Sequence, residues 1–255
     1  MFAEERHRAI ESIVRQKGRL TVGELAVHLG ASDITVRRDL RRLEAAGKVL
    51  RTHGGALHPE FRDTEPGFER KAVDAVAAKI AIARAVAMEL PARGHVFLDA
   101  GTTCLEVARQ ILDRRELTVV TNSIPVLQLG TGAKARVVAV GGEVRAVSLA
   151  LVGGLALEWL GGLRFDVAVI SASGLDAREG ASTTELSEAA VKRAACARAR
   201  KCILVSHAAK WNHPAAVGFG GWDSFQLFVT DAKLTAAEKA VLRRSGVAVN
   251  TVSHP

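Results

Sequence analysis

Apolar positions along the chain fall into two textures. Up to about residue 57 they are spaced for short amphipathic helices. Ile10, Ile13 and Val14 give the first helical stripe, over residues 4–15, and Gly18 stops it. Thr21-Val-Gly-Glu24 has the form of a capping box opening a second helix, with Val22, Leu25 and Leu29 as its buried stripe and Gly30 as its end. Ala31 and Ser32 lead into a third helix, Ser32 as N-cap, in which Val36, Leu40 and Leu43 recur at i, i+4 and i+7 before Gly47. Two helices joined by a three-residue turn containing glycine have helix-turn-helix spacing. Val49, Leu50 and the pair Gly54-Gly55 then predict a short β-ribbon, the wing of a winged helix.

Between His58 and Val73 there is little periodicity and two prolines, Pro59 and Pro66, so a linker is expected there. From Asp74 onward short β-branched runs alternate with helix-length segments. An Ala-rich helix over 75–90 is closed by Pro91 and Gly94. Strands are predicted at 96–99, 117–120, 136–140, 166–171, 202–206, 226–230 and 247–252, with helices near 104–112, 124–129, 185–198 and 235–244. Such alternation predicts a mainly parallel sheet covered on both faces. The expected fold is α/β: an N-terminal winged helix-turn-helix (1–57), a linker (58–73) and a Rossmann-like domain (74–255). Gly153-Gly154 and Gly174 are expected to serve turns.

Charge sharpens this division. The 255 residues carry 35 Lys+Arg against 27 Asp+Glu, a net +8, within an ordinary soluble composition of 48% hydrophobic and 24% charged residues. Residues 1–58 hold 11 basic and 7 acidic side chains, and the remaining 197 hold 24 and 20. Net positive charge is therefore more than three times denser in the first segment, which localises an attraction for a polyanion. Its focus is the third helix, where Arg37, Arg38, Arg41 and Arg42 lie opposite the apolar stripe. Asp39 can pair with Arg42, and Glu44 with Arg41, so local pairing answers at most two of the four. Three scattered cysteines, Cys104, Cys196 and Cys202, have no metal spacing and point to a reducing compartment. The N-terminus lacks a basic stretch followed by an apolar core, and no apolar run reaches spanning length. A cytoplasmic protein with no membrane partner, no cofactor and no metal is expected.

In a helix-turn-helix the second helix enters the major groove, and its N-terminal residues meet base edges. Ile34 offers an apolar contact suited to a thymine methyl, Thr35 a hydroxyl, and Arg37 and Arg38 guanidiniums able to grip guanine or clamp phosphate. The alternative for Ile34 and Thr35 is structural: the first packs on the preceding helix and the second supports the N-terminus. Arg41 and Arg42 pair with acids or touch phosphates. Arg51 and His53, on the wing, are candidates for the backbone or minor groove, and Thr21 and Ser32, heading two helices, complete the set.

In the α/β half, three strands end in small polar loops: Asp99-Ala-Gly101-Thr102-Thr103, Thr121-Asn122-Ser123 and Gly141-Gly142-Glu143. Ligands bind at the carboxyl ends of parallel strands, and small residues let backbone N–H groups at helix N-termini approach a phosphate. Three such loops in succession are expected to open on one edge of the sheet. Asp99 either orients a sugar hydroxyl or caps the next helix. Lys210 can bring a charge to the same edge, whereas Lys192, four residues after Glu188, reads as half of a plain i, i+4 ion pair.

These segments resemble the DeoR family of bacterial transcriptional regulators along nearly the whole chain. EERHRAI, TVGELAVHLGAS, ITVRRDLRRLEAAGKV and RTHGGAL carry the N-terminal match. LDAGTT, VVTNS, VGGEVR, LVGGLA, SASGL, EAAVKRA, VSHAAK and LFVTD carry the rest. The resemblance implies a sensor domain similar to sugar-phosphate isomerase folds and a phosphorylated sugar as effector. Carried onto this sequence, the effector loops are Asp99, Gly101, Thr102 and Thr103, then Thr121, Asn122 and Ser123, with Gly141, Gly142 and Lys210. One departure stands out: many relatives have an acidic residue and a serine before the lysine, where this chain has His207 and Ala209. That histidine either binds a further anionic group or points to solvent.

The expected function is a DNA-binding regulator, on resemblance a repressor of a carbohydrate catabolic operon, released from double-stranded operator DNA by a phosphorylated sugar. Reading repeated half-sites implies a homodimer or homotetramer. Two rivals remain. An isomerase-like enzyme with an appended DNA-binding domain needs a positioned base, for which Asp99, Glu143, Glu185 or His207 can be nominated, with no spacing favouring any. An architectural DNA binder would have neither sequence preference nor ligand response.

Overall fold

The apolar stripes at the N-terminus close on one another as a small helical core. In the computed structural model, which describes residues 3–17, 19–52, 55–57 and 65–254, the chain divides into two units, Met1–Glu65 and Pro66–Pro255. The first contains α1 (Ala3–Lys17), β1 (Arg19–Thr21), α2 (Val22–Leu29), α3 (Asp33–Ala45), β2 (Leu50–Thr52) and β3 (Gly55–Leu57). Ile10 and Val14 of α1, Leu25 of α2, Val36 and Leu40 of α3, and Val49 are buried together. The capping box is present: Glu24 N donates to Thr21 Oγ1 at 3.2 Å, and Thr21 N donates to Glu24 Oε2 at 2.7 Å. Gly30 ends α2 with φ 58°, a left-handed conformation that glycine adopts without a Cβ penalty.

Two details differ from expectation here. The ribbon gains a third strand, in the order β1-β3-β2, and β1 brings its backbone so near that a Cβ on Gly55 would lie 1.9 Å from Leu20 O. Asp39 does not pair with Arg42. It is buried in the core-facing side of α3, where Arg6 Nε donates to its Oδ2 at 2.8 Å and His7 Nε2 lies 3.1 Å from its Oδ1. Burial opposes the Asp39 charge, but Arg6 and His7 outweigh it and hold the carboxyl below its usual pKa.

The second unit runs α4 (Phe68–Val73), α5 (Val76–Glu89), β4 (Gly94–Leu98), α6 (Thr102–Ile111), β5 (Leu117–Thr121), α7 (Ile124–Gly130), β6 (Arg136–Ala139), β7 (Glu143–Arg145), β8 (Ala150–Val152) and α8 (Gly154–Gly162). It continues with β9 (Phe165–Ser171), β10 (Gly174–Asp176), β11 (Gly180–Thr183), α9 (Leu186–Ala197), β12 (Ala199–Val205), β13 (Val217–Gly220), β14 (Leu227–Thr230), α10 (Ala236–Arg244) and β15 (Ala248–Thr251). All seven expected strands form one sheet, ordered β15-β14-β12-β9-β4-β5-β6 and parallel throughout. Successive residues feed opposite faces. Phe97, Phe165 and Phe228 enter one core with Trp222, while Val96, Leu98, Val169 and Val229 enter another with Ile82 and Ile111.

The chain steps from β4 to β5 and β6, then returns to the other side of β4 as β9. This reversal opens a crevice at the carboxyl ends of β4 and β9, where open α/β sheets bind ligands. The expected linker is shorter than residues 58–73: Pro66 onward belongs to the second unit, and α4 forms because Phe68 is buried with the α5 and α6 core. Of the expected turns, Gly153 precedes α8 with φ 92°, whereas Gly174 lies in β10, where a Cβ would sit 2.1 Å from His213 O. The antiparallel pair β7-β8 and the three-stranded antiparallel sheet β10-β11-β13 lie outside the elements the sequence predicts.

Candidate DNA-contacting face and ligand pocket

On α3, Arg37, Arg38, Arg41 and Arg42 are all exposed, and none has an ion-pair partner among the described residues. Burying Asp39 toward α1 removes the one acid that could have neutralised Arg42 within the helix. Ile34 is 81% exposed, so it does not pack on α2, and an apolar group stands free at the start of the helix. Thr35 is half-buried and tied into the cap: its N donates to Ser32 Oγ at 3.3 Å, and the two hydroxyls lie 2.9 Å apart. The Thr21 hydroxyl is likewise engaged, donating to Glu24 Oε2 at 2.8 Å. Arg51 lies on β2, paired with Ala56 of β3. His53 falls outside the described residues.

The second unit holds a pocket over the sheet reversal, lined by residues following β4, β5, β9 and β12 and by α4, α5 and α9. Asp99, at the end of β4, is 1% exposed. Its Oδ2 accepts hydrogen bonds from Ser171 N at 3.0 Å, Ser171 Oγ at 2.6 Å and Lys192 Nζ at 2.5 Å. Asp99 therefore caps no helix. The N-cap of α6 is Gly101, with no side-chain cap bond, so the helix presents its N-terminus to the pocket through Gly101, Thr102 and Thr103. A Cβ on Gly101 would lie 2.1 Å from Ser171 Oγ, so glycine permits this close approach.

Lys192 was expected to pair with Glu188, and the structure assigns each a different partner. Lys192 is buried and bonds Asp99 and the carbonyl of Ser171. Burial works against its ammonium, but Asp99 and then Glu188 outweigh it and raise its pKa above the usual value. Glu188, also buried, accepts from Arg145 Nη1 at 3.1 Å and from Thr183 Oγ1 at 3.0 Å. On α5, buried Lys79 donates to the carbonyls of Lys71 and Asp74, holding the C-terminal end of α4. Burial pulls its pKa down to about 8, with Asp74 opposing and Lys210 adding to the shift. His207 is 7% exposed and lines the pocket rather than facing solvent. Burial, then Lys210 and Lys79, lowers its pKa, so the imidazole is neutral near pH 7. Lys210 lines the same pocket.

The predicted effector residues thus separate. Asp99, Gly101, Thr102, Thr103, Asn122 and Lys210 come together in the pocket; Thr121, Ser123, Gly141 and Gly142 do not line it. Thr121 Oγ1 donates to Leu98 O at 2.7 Å and accepts from Ser123 N at 3.0 Å, and Ser123 caps α7. These two shape the loop that carries Asn122. Gly141 lies against the Trp159 indole, and Gly142 (φ 134°) would place a Cβ 2.3 Å from Val152 O. Their loop follows β6, the edge strand, two strands removed from the reversal at β4. Lys79, Lys192, Glu188, Ser148 and Ser171 are pocket residues outside the predicted set. The signal was available for the lysines: Lys79 heads the apolar stripe Ile82, Ala83, Val86, and Lys192 sits in the stripe Ala189, Val191, Ala195. No helix among the described residues is long and apolar enough to cross a membrane.

Comparisons with known proteins match both halves. The DeoR-like helix-turn-helix domain matches residues 6–61, and the DeoR C terminal sensor domain matches residues 74–232. The HTH-type transcriptional regulator GlpR of Haloferax volcanii is 35% identical over 98% of each chain. The glycerol-3-phosphate regulon repressor of Escherichia coli is 32% identical over 89% of this chain and 90% of its own, and the E. coli HTH-type transcriptional repressor CsqR is 31% identical over 96% and 94%. Among solved structures, ribose 5 phosphate isomerase A from Neisseria gonorrhoeae aligns over 52% of each chain at 12% identity, with a TM-score of 0.38, a level from which nothing is carried over.

Proposed function

The chain belongs to the DeoR family of transcriptional regulators, and from that premise we propose that it is a repressor whose first unit reads operator DNA and whose second unit senses a phosphorylated sugar. One observation carries the sensor half. Lys79, Lys210 and His207 converge on a pocket into which α6 opens an uncapped N-terminus. Backbone N–H groups at a helix start and nearby ammonium groups together make a dianion site. A bound phosphate would favour the charged forms of Lys79 and His207, both held partly neutral by burial in the free protein. For the DNA half, the exposed arginines of α3 supply phosphate and guanine contacts, with Ile34 as an apolar base contact. Two-fold half-sites would be read by paired copies of the chain.

An effector releases DNA only if it binds the two states of the regulator differently. Helix α4 is suited to carry that difference. It is the first helix after Glu65, its Phe68 N donates to Val147 O at 2.8 Å, and Lys79 holds its other end. Lys79 lines the pocket, and Val147 immediately precedes the lining residue Ser148, so a ligand that draws Lys79 onto a phosphate loosens α4.

Isomerase chemistry finds less support. Of the four nominated bases, Glu143 lies on the β7-β8 ribbon and Glu185 caps α9, and Asp99 Oδ2 is occupied by three donors, which leaves His207, on the pocket wall. The test is a thermal-shift titration of the full chain with glycerol 3-phosphate, ribose 5-phosphate and fructose 1-phosphate, alongside glycerol, ribose and fructose, with turnover followed by NMR. Stabilisation by a phosphorylated member, by about 2.7 kcal/mol at a hundredfold excess over its Kd, without turnover, is expected. Turnover, or no stabilisation by any phosphorylated compound, overturns the reading.

A further inference from the structure

Two buried polar atoms on the pocket wall have no hydrogen-bond partner among the described residues: Asn122 Oδ1 and Ser148 Oγ. Their residues are 2% and 3% exposed, and a polar atom left unpaired at such burial lowers stability. The two belong to one wall. Leu151 N donates to Asn122 O at 2.7 Å, Asn122 Nδ2 donates to Leu151 O at 3.2 Å, and Ile124 N donates to Leu149 O at 2.9 Å, zipping residues 122–124 to 149–151. With its NH2 held on that carbonyl, the Asn122 amide leaves its oxygen as the open acceptor. Ser148 is presented by a strained turn: the next residue, Leu149, has φ 51°, a conformation rare for a branched side chain. Unsatisfied atoms and a left-handed leucine are retained here at a cost to the free protein, the pattern expected where a ligand completes the bonding.

We propose that Asn122 and Ser148 form a hydroxyl-recognition subsite, which selects phosphorylated polyols carrying a free hydroxyl remote from the phosphate. This rests on the sugar-phosphate reading above and adds the end of the ligand that it leaves undefined. Sheet order separates the two ends. His207 and Lys210 follow β12, which lies three strand positions from β5, the strand before Asn122; at about 4.8 Å per step this is roughly 14 Å. The α6 N-terminus, after β4, lies one position from β5. A phosphate at the α6 N-terminus, between the two, therefore leaves the far end of a sugar chain toward Asn122 and Ser148, where Asn122 Oδ1 accepts from a hydroxyl and Ser148 Oγ donates to or accepts from one. Inorganic phosphate fills only the cationic side. Discrimination by a site with unpaired polar groups is steep, because a ligand lacking the hydroxyl leaves them unpaired.

The test uses full-length Ser148→Ala beside wild type, with inorganic phosphate, glycerol 3-phosphate, ribose 5-phosphate and fructose 1-phosphate as probes. Without ligand, Ser148→Ala melts higher than wild type, because the orphan hydroxyl is gone. Inorganic phosphate stabilises both equally. The sugar phosphate that binds wild type most tightly binds Ser148→Ala at least about tenfold more weakly. A lower melting temperature in the variant makes the hydroxyl structural and overturns the proposal, and so does equal sugar-phosphate affinity in the two proteins. If no sugar phosphate outperforms inorganic phosphate on wild type, the sugar-phosphate reading itself fails and the subsite with it; if one does but the variant does not distinguish it, the subsite alone fails.

Discussion

Replacing Lys192 by Met tests whether the buried ion pair is what organises the pocket floor. The Lys192 and Asp99 side chains are 7% and 2% exposed, so removing the ammonium strands a nearly buried carboxylate. Ser171 still donates twice to the same oxygen, but these are neutral donors. Breaking one side of a buried pair costs about 3–5 kcal/mol, and for a unit of this size each kcal/mol moves Tm by about 2–4 °C. The expected loss is therefore roughly 6–20 °C for Lys192→Met. Adding Asp99→Asn removes the stranded charge and returns the protein to within about 1 kcal/mol of wild type, since an intact pair roughly balances its own desolvation. All three tryptophans, Trp159, Trp211 and Trp222, lie in the second unit, so urea denaturation followed by tryptophan fluorescence reads the affected unit directly. A single variant within about 1 kcal/mol of wild type, or a double variant no better than the single, would refute the reasoning.

Three further outcomes follow from named residues. Arg37→Ala and Arg38→Ala, measured separately on a selected duplex, each cost about 1–3 kcal/mol and flatten preference at one base position, whereas Arg41→Ala lowers affinity uniformly and reduces the salt slope by about 1; equal losses on every sequence from all three variants would leave only phosphate contacts. Gly55→Ala places a Cβ within 1.9 Å of Leu20 O, so it separates β1 from β3 and abolishes DNA affinity while the tryptophan unfolding midpoint of the second unit stays put. If Lys79, with its pKa near 8, faces the phosphate, calorimetric affinity for a sugar phosphate falls up to about tenfold per pH unit above that pH; the free lysine loses its proton there, and Lys79→Met removes this alkaline step. A step that survives Lys79→Met excludes this lysine.

Much of the architecture was legible because its signals are local. Parallel strands buried on both faces, such as VFL at 96–98 and ILV at 203–205, read as unbroken apolar runs, and the caps at Thr21 and Ser32 mark helix starts by their own chemistry. The arginine face of α3 was legible for the same reason. What escaped depends on non-local facts. Strands of three residues, such as β1, β7 and β8, show too little alternation to register. The loop at Gly141 resembled the loops at Asp99 and Asn122, but strand order, which no short stretch encodes, sends β6 to the sheet edge. Lys192 was misread because i, i+4 spacing to Glu188 suggests a surface pair, and only packing reveals that α9 turns both residues inward, toward Asp99 and Arg145. Ser148 carried no signal: a serine between valine and leucine is unremarkable until its neighbours leave it without a partner.

The most direct test of the central claim joins the two units in one measurement. A duplex selected from a random library by the full-length protein is labelled, and its affinity is followed by fluorescence anisotropy as glycerol 3-phosphate, ribose 5-phosphate, fructose 1-phosphate and their unphosphorylated counterparts are added. A sequence-specific complex weakened at least about tenfold, or about 1.4 kcal/mol, by a phosphorylated compound and untouched by its unphosphorylated form is the predicted result. Affinity unchanged by every phosphorylated compound, or weakened equally by the unphosphorylated sugar, would contradict it.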